Sequence, residues 1–165
     1  MNKECGAFVT QDPSKCTGCK ACEMACFCAH NELEGRTVGT VGIPVVPRLF
    51  VTERAEGCAP VQCKHCEDSP CLLACERGAI VRSEGKVLID TEKCISCTLR
   101  GCASACPFGA IRLTPLPAKC DLCLGVDGGP ACVRACPHQA LRYVDPEKER
   151  EAKAVRAAQA LAYTY

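Results

Sequence analysis

Four times along this chain of 165 residues the same spacing of cysteines returns. The copies are Cys16, Cys19, Cys22 and Cys26; Cys63, Cys66, Cys71 and Cys75; Cys94, Cys97, Cys102 and Cys106; and Cys120, Cys123, Cys132 and Cys136. Each reads C-x2-C, then a gap of two, four, four or eight residues, then C-x3-C. A repeat at this scale constrains the architecture before any helix or strand propensity is consulted. Sixteen of the 19 cysteines fall into the frame, and Cys5, Cys28 and Cys58 lie outside it.

Sulfur this dense has three physical uses: disulfide staples, structural zinc, or iron–sulfur clusters. The N-terminus carries no basic segment followed by an apolar run, and no stretch approaches 18 uncharged apolar residues. The expectation is a cytoplasmic chain with no membrane span, whose thiols stay reduced. An odd cysteine count also argues against a closed disulfide set. Zinc takes two C-x2-C pairs around one tetrahedral ion. Here C-x2-C continues into a third cysteine that closes a loop on one corner of a larger object. The fourth cysteine lies about one helical turn further on and points away from that corner, so it serves a different cluster. Pro107 and Pro137 follow Cys106 and Cys136 and read as the ends of the ligand helices, since proline cannot extend the backbone ladder.

Between the copies lie short β-prone runs at 79–83, 87–90, 110–113 and 140–144, with "SEG" at 83–85 as a hairpin turn. The stretch 38–53 is rich in Val and broken by Gly and Pro, and reads as an inserted edge strand or hairpin. With no Trp, three Tyr and four Phe, side chains alone offer little mass for a core. The formal charge of +1 predicts no special affinity for nucleic acid or membrane. Asp145 as N-cap, Pro146 and Glu147 open a C-terminal helix over 146–163. Its stripe of Ala152, Val155, Ala158, Leu161 and Ala162 either packs on its own domain or docks on another subunit or a second copy.

The stretches "CTGCKACEMACFCAH", "QCKHCEDSPCLLAC", "CPFGAI" and "KCDLC…GPACVRACPHQAL" resemble the four-cluster, polyferredoxin-like electron-transfer subunits. These serve molybdenum or tungsten pterin oxidoreductases, formate hydrogenlyase and carbon-monoxide dehydrogenase. The resemblance implies an α+β fold of two bacterial-ferredoxin-like two-cluster modules, with short β-hairpins, cysteine-rich loops and a C-terminal helix. It pairs copy one with copy four and copy two with copy three. The modules would then be 1–37 with 115–144, and 58–114, with an inserted strand or hairpin at 38–57 and the helix at 145–165.

By the same resemblance, Cys16, Cys19, Cys22 and Cys136 would hold one 4Fe-4S cluster, and Cys120, Cys123, Cys132 and Cys26 a second. Cys63, Cys66, Cys71 and Cys106 would hold a third, and Cys94, Cys97, Cys102 and Cys75 the fourth. Two departures stand out. Glu76 replaces the usual proline after Cys75, which predicts a less sharp exit, and copy three carries a four-residue gap, "TLRG".

The implied partners are a large catalytic subunit and a second redox protein. A tungsten or molybdenum pterin enzyme acting on aldehyde or formate is favoured, then carbon-monoxide dehydrogenase. No nucleophile–base pair, phosphate-binding glycine loop or open metal position appears, so the chain reads as an electrical connector and not a catalyst. A free-standing diffusible polyferredoxin and a zinc-stabilised interaction module are the alternatives.

Among the remaining residues, Cys28 reads as a buried thiol. His30, His65 and His138 lie close to ligands but are not needed as ligands. Lys15, Lys20, Lys64, Lys93 and Lys119 flank ligands and form either a solvated face or a charge that raises cluster potentials. Four all-thiolate clusters would add about −8 and bring the chain to about −7.

Overall fold

The computed structural model describes residues 6–33, 35–95, 97–113 and 117–162. In chain order the elements are β1 (Phe8–Gln11), α1 (Ala21–Ala29), β2 (Phe50–Arg54), β3 (Gly57–Val61), α2 (Pro70–Leu73), β4 (Ile80–Ser83) and β5 (Lys86–Ile89). They continue as α3 (Thr91–Cys94), α4 (Gly101–Ala105), β6 (Arg112–Leu113), β7 (Pro117–Ala118), α5 (Ala131–Arg134), β8 (Leu141–Val144) and α6 (Pro146–Ala162).

The strands form four two-stranded antiparallel ribbons: β1 with β8, β2 with β3, β4 with β5, and β6 with β7. The first brings the two ends of the cysteine frame together, with Phe8 opposite Val144 and Gln11 opposite Leu141. In the third, Glu84 and Gly85 both take positive φ, 49° and 71°. That is the primed turn which matches the twist of a two-residue hairpin, and it sits where "SEG" placed it. Ribbons this short are marginal alone, so each leans on a cysteine helix.

The helices pack in two pairs, α1 against α5 and α2 against α4. Two cores follow. One joins Val9, Leu49, Leu122 and Leu141 to the thiols of Cys22, Cys26, Cys63, Cys120 and Cys132. The other joins Ile80, Val87 and Ile111 to Cys71 and Cys102. Sulfur occupies positions that larger side chains fill in an ordinary core, as the scarcity of aromatics anticipated.

Two expectations change. Within 38–53 the strand begins only at Phe50, and Val38–Thr40 forms a short 3-10 turn instead. Pro44 and Pro47 lack the N–H a ladder needs. The hairpin therefore runs later, over 50–61, with Val51 opposite the buried Pro60. The terminal helix is capped as read: the Asp145 carboxylate accepts from the Glu147 and Lys148 N–H groups at 3.2 and 3.3 Å. It does not pack on its own domain, because every residue from Arg150 to Leu161 is exposed. Residue 163 of the expected helix lies outside the described residues.

The β4–β5 turn crosses the segment just before β1. A Cβ on Gly6 would stand 2.0 Å from the Gly85 carbonyl oxygen, and neither backbone can yield cheaply. Gly6→Ala should therefore lower stability by about 1–3 kcal/mol, the usual cost of overpacking. The thermal midpoint of the cluster-loaded protein checks this, and Gly39→Ala, at an open position, is the control.

Candidate metal centres

The chain leaves the last cysteine of copies two, three and four by one repeated turn. The N–H groups of Gly78, Gly109 and Gln139 donate to the carbonyls of Cys75, Cys106 and Cys136 at 2.9, 3.1 and 3.2 Å. These three residues take left-handed φ of 60°, 57° and 52°. The next N–H, from Ala79, Ala110 and Ala140, then donates to the cysteine sulfur itself at 3.2, 3.4 and 3.2 Å. Glu76 does not soften its exit, because the left-handed residue three positions after the cysteine makes the turn and proline only accompanies it. In copy one α1 runs past Cys26, and the N–H on that sulfur comes from Arg48 at 3.4 Å.

The C-x2-C loops repeat a second device. Gly18, His65 and Leu122, each just before the second cysteine, have φ of 76°, 49° and 61°. The His65 and Leu122 N–H groups donate back to Cys63 and Cys120 sulfur at 3.2 and 3.5 Å. Donors on sulfur favour the thiolate, the form that binds metal. Arginines brace the wider gaps. Arg82 donates to the carbonyls of Cys66 and Glu67 and to Ser69 Oγ, and Arg134 donates to the carbonyls of Asp127 and Gly129 at 2.9 and 2.6 Å.

Repeat cysteines line three cavities. Cys16, Cys19, Cys22 and Cys136 line one cavity with Val51, Pro60 and Leu141. Cys63, Cys66, Cys71 and Cys106 line another with Val87, Ile111 and Lys119. Cys94, Cys97 and Cys102 line a third, and Cys75 acts on the thiols of Cys94 and Cys102. Cys120, Cys26 and Cys123 act on the deeply buried Cys132, and Cys22 of the first set acts on it as well. Among the described residues no three Cys, His, Asp or Glu side chains converge tightly enough for a single metal ion. The sulfurs stand around a space instead of on a point, which fits a polynuclear cluster better than one zinc.

Burial pushes the thiols of Cys22 and Cys120 up to about 12, with like-charged sulfur neighbours adding to the rise. Cys97 goes the other way, lowered by the N–H groups of Arg100 and Leu99. Around Cys26, His30 donates from Nδ1 to the Cys26 carbonyl at 2.7 Å and from Nε2 to Asp121 Oδ1 at 2.9 Å. Burial opposes the imidazolium, but these partners hold its pKa up at about 10. Arg48 also pairs with Asp121, so one carboxylate ties copy one, the inserted stretch and copy four.

His65 is neutral, pushed down to about 3 by burial and Lys119. Its Nδ1 accepts from the Val87 N–H at 3.0 Å. His138 is exposed at the rim of the first cavity. The Cys28 thiol is buried and donates to the Arg36 carbonyl at 3.7 Å, a packing role. Cys58 sulfur lies against Gly18, and Cys5 lies outside the described residues. No disulfide joins the described cysteines. The exit turns and the arginine braces escaped the sequence reading, although glycine three positions after Cys75 and Cys106 marked two of the turns.

Comparison with known proteins gives a consistent picture. A 4Fe-4S dicluster domain matches residues 56–146, and a 4Fe-4S binding domain matches residues 9–27. The electron transport protein HydN of Escherichia coli K12 is 36% identical over 159 residues, covering 86% of this chain and 89% of that one. Formate hydrogenlyase subunit 2 of the same organism is 36% identical over 175 residues, covering 84% and 81%. Putative oxidoreductase AegA of Escherichia coli K12 is 40% identical over 147 residues, which is 83% of this chain but only 22% of AegA.

Gln139 is the one exit residue that pays a left-handed penalty for its Cβ. Gln139→Gly should raise stability by about 0.5–1 kcal/mol, the αL strain relieved less the extra chain entropy of glycine. Thermal melting should show the gain with the visible spectrum unchanged. Gly109→Val should do the reverse, with loss of bound iron.

Proposed function

This chain belongs to the 4Fe-4S dicluster domain family, and on that premise we propose that it is a four-cluster electron conduit serving a larger oxidoreductase. That it is an iron–sulfur electron-transport protein follows from family and relatives. The number four is our reading, and the observation that carries it is three separate cavities lined by repeat cysteines, with Cys26, Cys120 and Cys123 acting on the buried Cys132 as a further set. When bound, each cluster supplies one-electron redox chemistry and no more.

The chain's own residues do the remaining work. Four cysteines would saturate each cluster and leave no open position for substrate. The last cysteine of each copy would cross to the cluster of its partner copy, as the packing of α1 on α5 and of α2 on α4 supports. Backbone N–H groups on sulfur spread thiolate charge into the peptide, and apolar walls such as Val51, Val87 and Leu141 exclude water. Cys63 adds to the rise of the Cys120 thiol, so the second and third groups face each other across the two halves. Cys19 at one end is exposed and Cys97 at the other is half-buried, which suits exchange with separate partners.

The partner we favour is a molybdenum or tungsten pterin oxidoreductase acting on formate or aldehyde. Likeness to formate hydrogenlyase subunit 2 supports the formate side, and likeness to a 22% stretch of the putative oxidoreductase AegA supports service to a larger oxidoreductase. The exposed stripe of α6, with Val155 51% and Leu161 66% exposed, supports attachment to that larger subunit. Among the described residues no helix is long and apolar enough to cross a membrane.

Anaerobically prepared protein should contain about sixteen iron atoms per chain, four for each 4Fe-4S cluster. About half that number, or substantial zinc, would overturn the four-cluster reading. Cys136→Ser should disturb the cluster held by Cys16, Cys19 and Cys22, and Cys26→Ser that held by Cys120, Cys123 and Cys132. Spectra in which each substitution touched only its own copy would reject the crossing. Deleting residues 146–165 should leave iron content intact and weaken capture of the catalytic subunit in a native pull-down.

A further inference from the structure

The residues just before the first cysteine of each copy differ in what they do. Lys15 and Lys93 are half-exposed at the side chain, 55% and 58%, and pair with Asp12 and Asp90. Gln62 is buried and donates from Nε2 to the Val9 carbonyl at 3.0 Å. Lys119 is also buried, only 5% exposed, and it turns away from the set that its own copy begins. Its ammonium donates to the Val87 carbonyl and to the Cys120 carbonyl, the latter at 3.2 Å. It lines the cavity of Cys63, Cys66, Cys71 and Cys106, across the meeting of the two halves.

Among the described residues no carboxylate lies within ion-pair distance of Lys119. A buried ammonium held only by neutral carbonyls is costly unless some negative charge compensates it. The sulfur set whose cavity it lines is the group that becomes negative. Lys64 also lines that cavity, but its ammonium is engaged elsewhere. It starts in copy two and reaches back to the Val9 carbonyl at 2.9 Å and to Gln11 Oε1.

We propose that Lys119 is a fixed positive charge that sets the third site, at Cys63, Cys66, Cys71 and Cys106, to a higher reduction potential than it would otherwise have. This rests on the four-cluster reading. Reduction there adds one electron and no proton, so the cavity gains one full negative unit, which a buried ammonium stabilises more than an exposed lysine can. The consequence is direction: an electron crossing between the halves finds the Cys63 side favoured, and the lysine that favours it belongs to the other half. Lys119 is thus a positioning residue that acts through charge and not a ligand.

The test is Lys119→Met in the full, cluster-loaded chain, read by anaerobic redox titration with electron paramagnetic resonance and by iron content. One reduction step should become about tenfold less favourable, about 59 mV more negative for a one-electron couple. It should be the step whose signal Cys66→Ser alters, with iron content unchanged. Lys119→Arg, which keeps the charge, should stay near the wild-type potential. Unchanged potentials in Lys119→Met, or an equal shift of every step, would overturn the proposal. If both Lys119→Met and Lys119→Gln lose iron from that site, the ammonium is a strut and the proposal falls. If Cys66→Ser alters no signal in otherwise normal protein, the third site itself is absent and the four-cluster reading fails first.

Discussion

A backbone N–H aimed at a cysteine sulfur is the contact on which the rest of this structure depends. It recurs at Cys75, Cys106 and Cys136 from the residue four positions on, and at Cys26 from Arg48. The buried thiols of Cys22 and Cys120 resist ionisation, with values pushed up to about 12. A metal site needs the ionised form, so something must favour it. The peptide does so without adding a charge, and this requires tight turns with left-handed residues at fixed offsets. Short cysteine helices, two-stranded ribbons and open loops follow from that requirement, because longer regular elements would consume the N–H groups the sulfurs use.

A second theme is the contact between the halves. Gly6 sits on the β4–β5 turn, Gln62 and Lys64 reach β1, and Lys119 reaches the cavity beside Val87. Arg112 lies over the Phe50 ring at 3.7 Å to its centroid, joining β6 to the β2–β3 hairpin. These polar and small-residue contacts join the two packed helix pairs of a chain that lacks aromatic mass. They also place buried charge near the sulfur sets on either side, which couples how the halves are held to how their sites are tuned.

Much of this was legible beforehand. The "SEG" turn and the Asp145 cap appear where the sequence places them, and cysteines fill positions in both cores of a chain poor in aromatics. The reading went astray where a local signal had a non-local or subtler cause. Proline after cysteine looked decisive, yet Glu76 sits in an equivalent turn because Gly78 supplies the left-handed backbone. Valine density over 38–53 looked like strand, yet Pro44 and Pro47 delay pairing to Phe50. The stripe on α6 looked as much like a core face as a docking face, and the fold leaves it in solvent.

Spacing is a local property, so the sequence alone determined which cysteines act together in each loop, how far the fourth stands from the first three, and that the chain carries four such units. It could not determine which loop meets which, because that depends on ribbon pairing between residues more than a hundred positions apart, as in β1 with β8. Nor could it separate Lys119 from Lys15 and Lys93, three lysines in the same local position. Their difference is one of surroundings: two stand in water beside a carboxylate, and one is folded under Val87 against a foreign sulfur set. Burial and charge environment are sums over distant parts of the chain, and only the tertiary structure performs that sum.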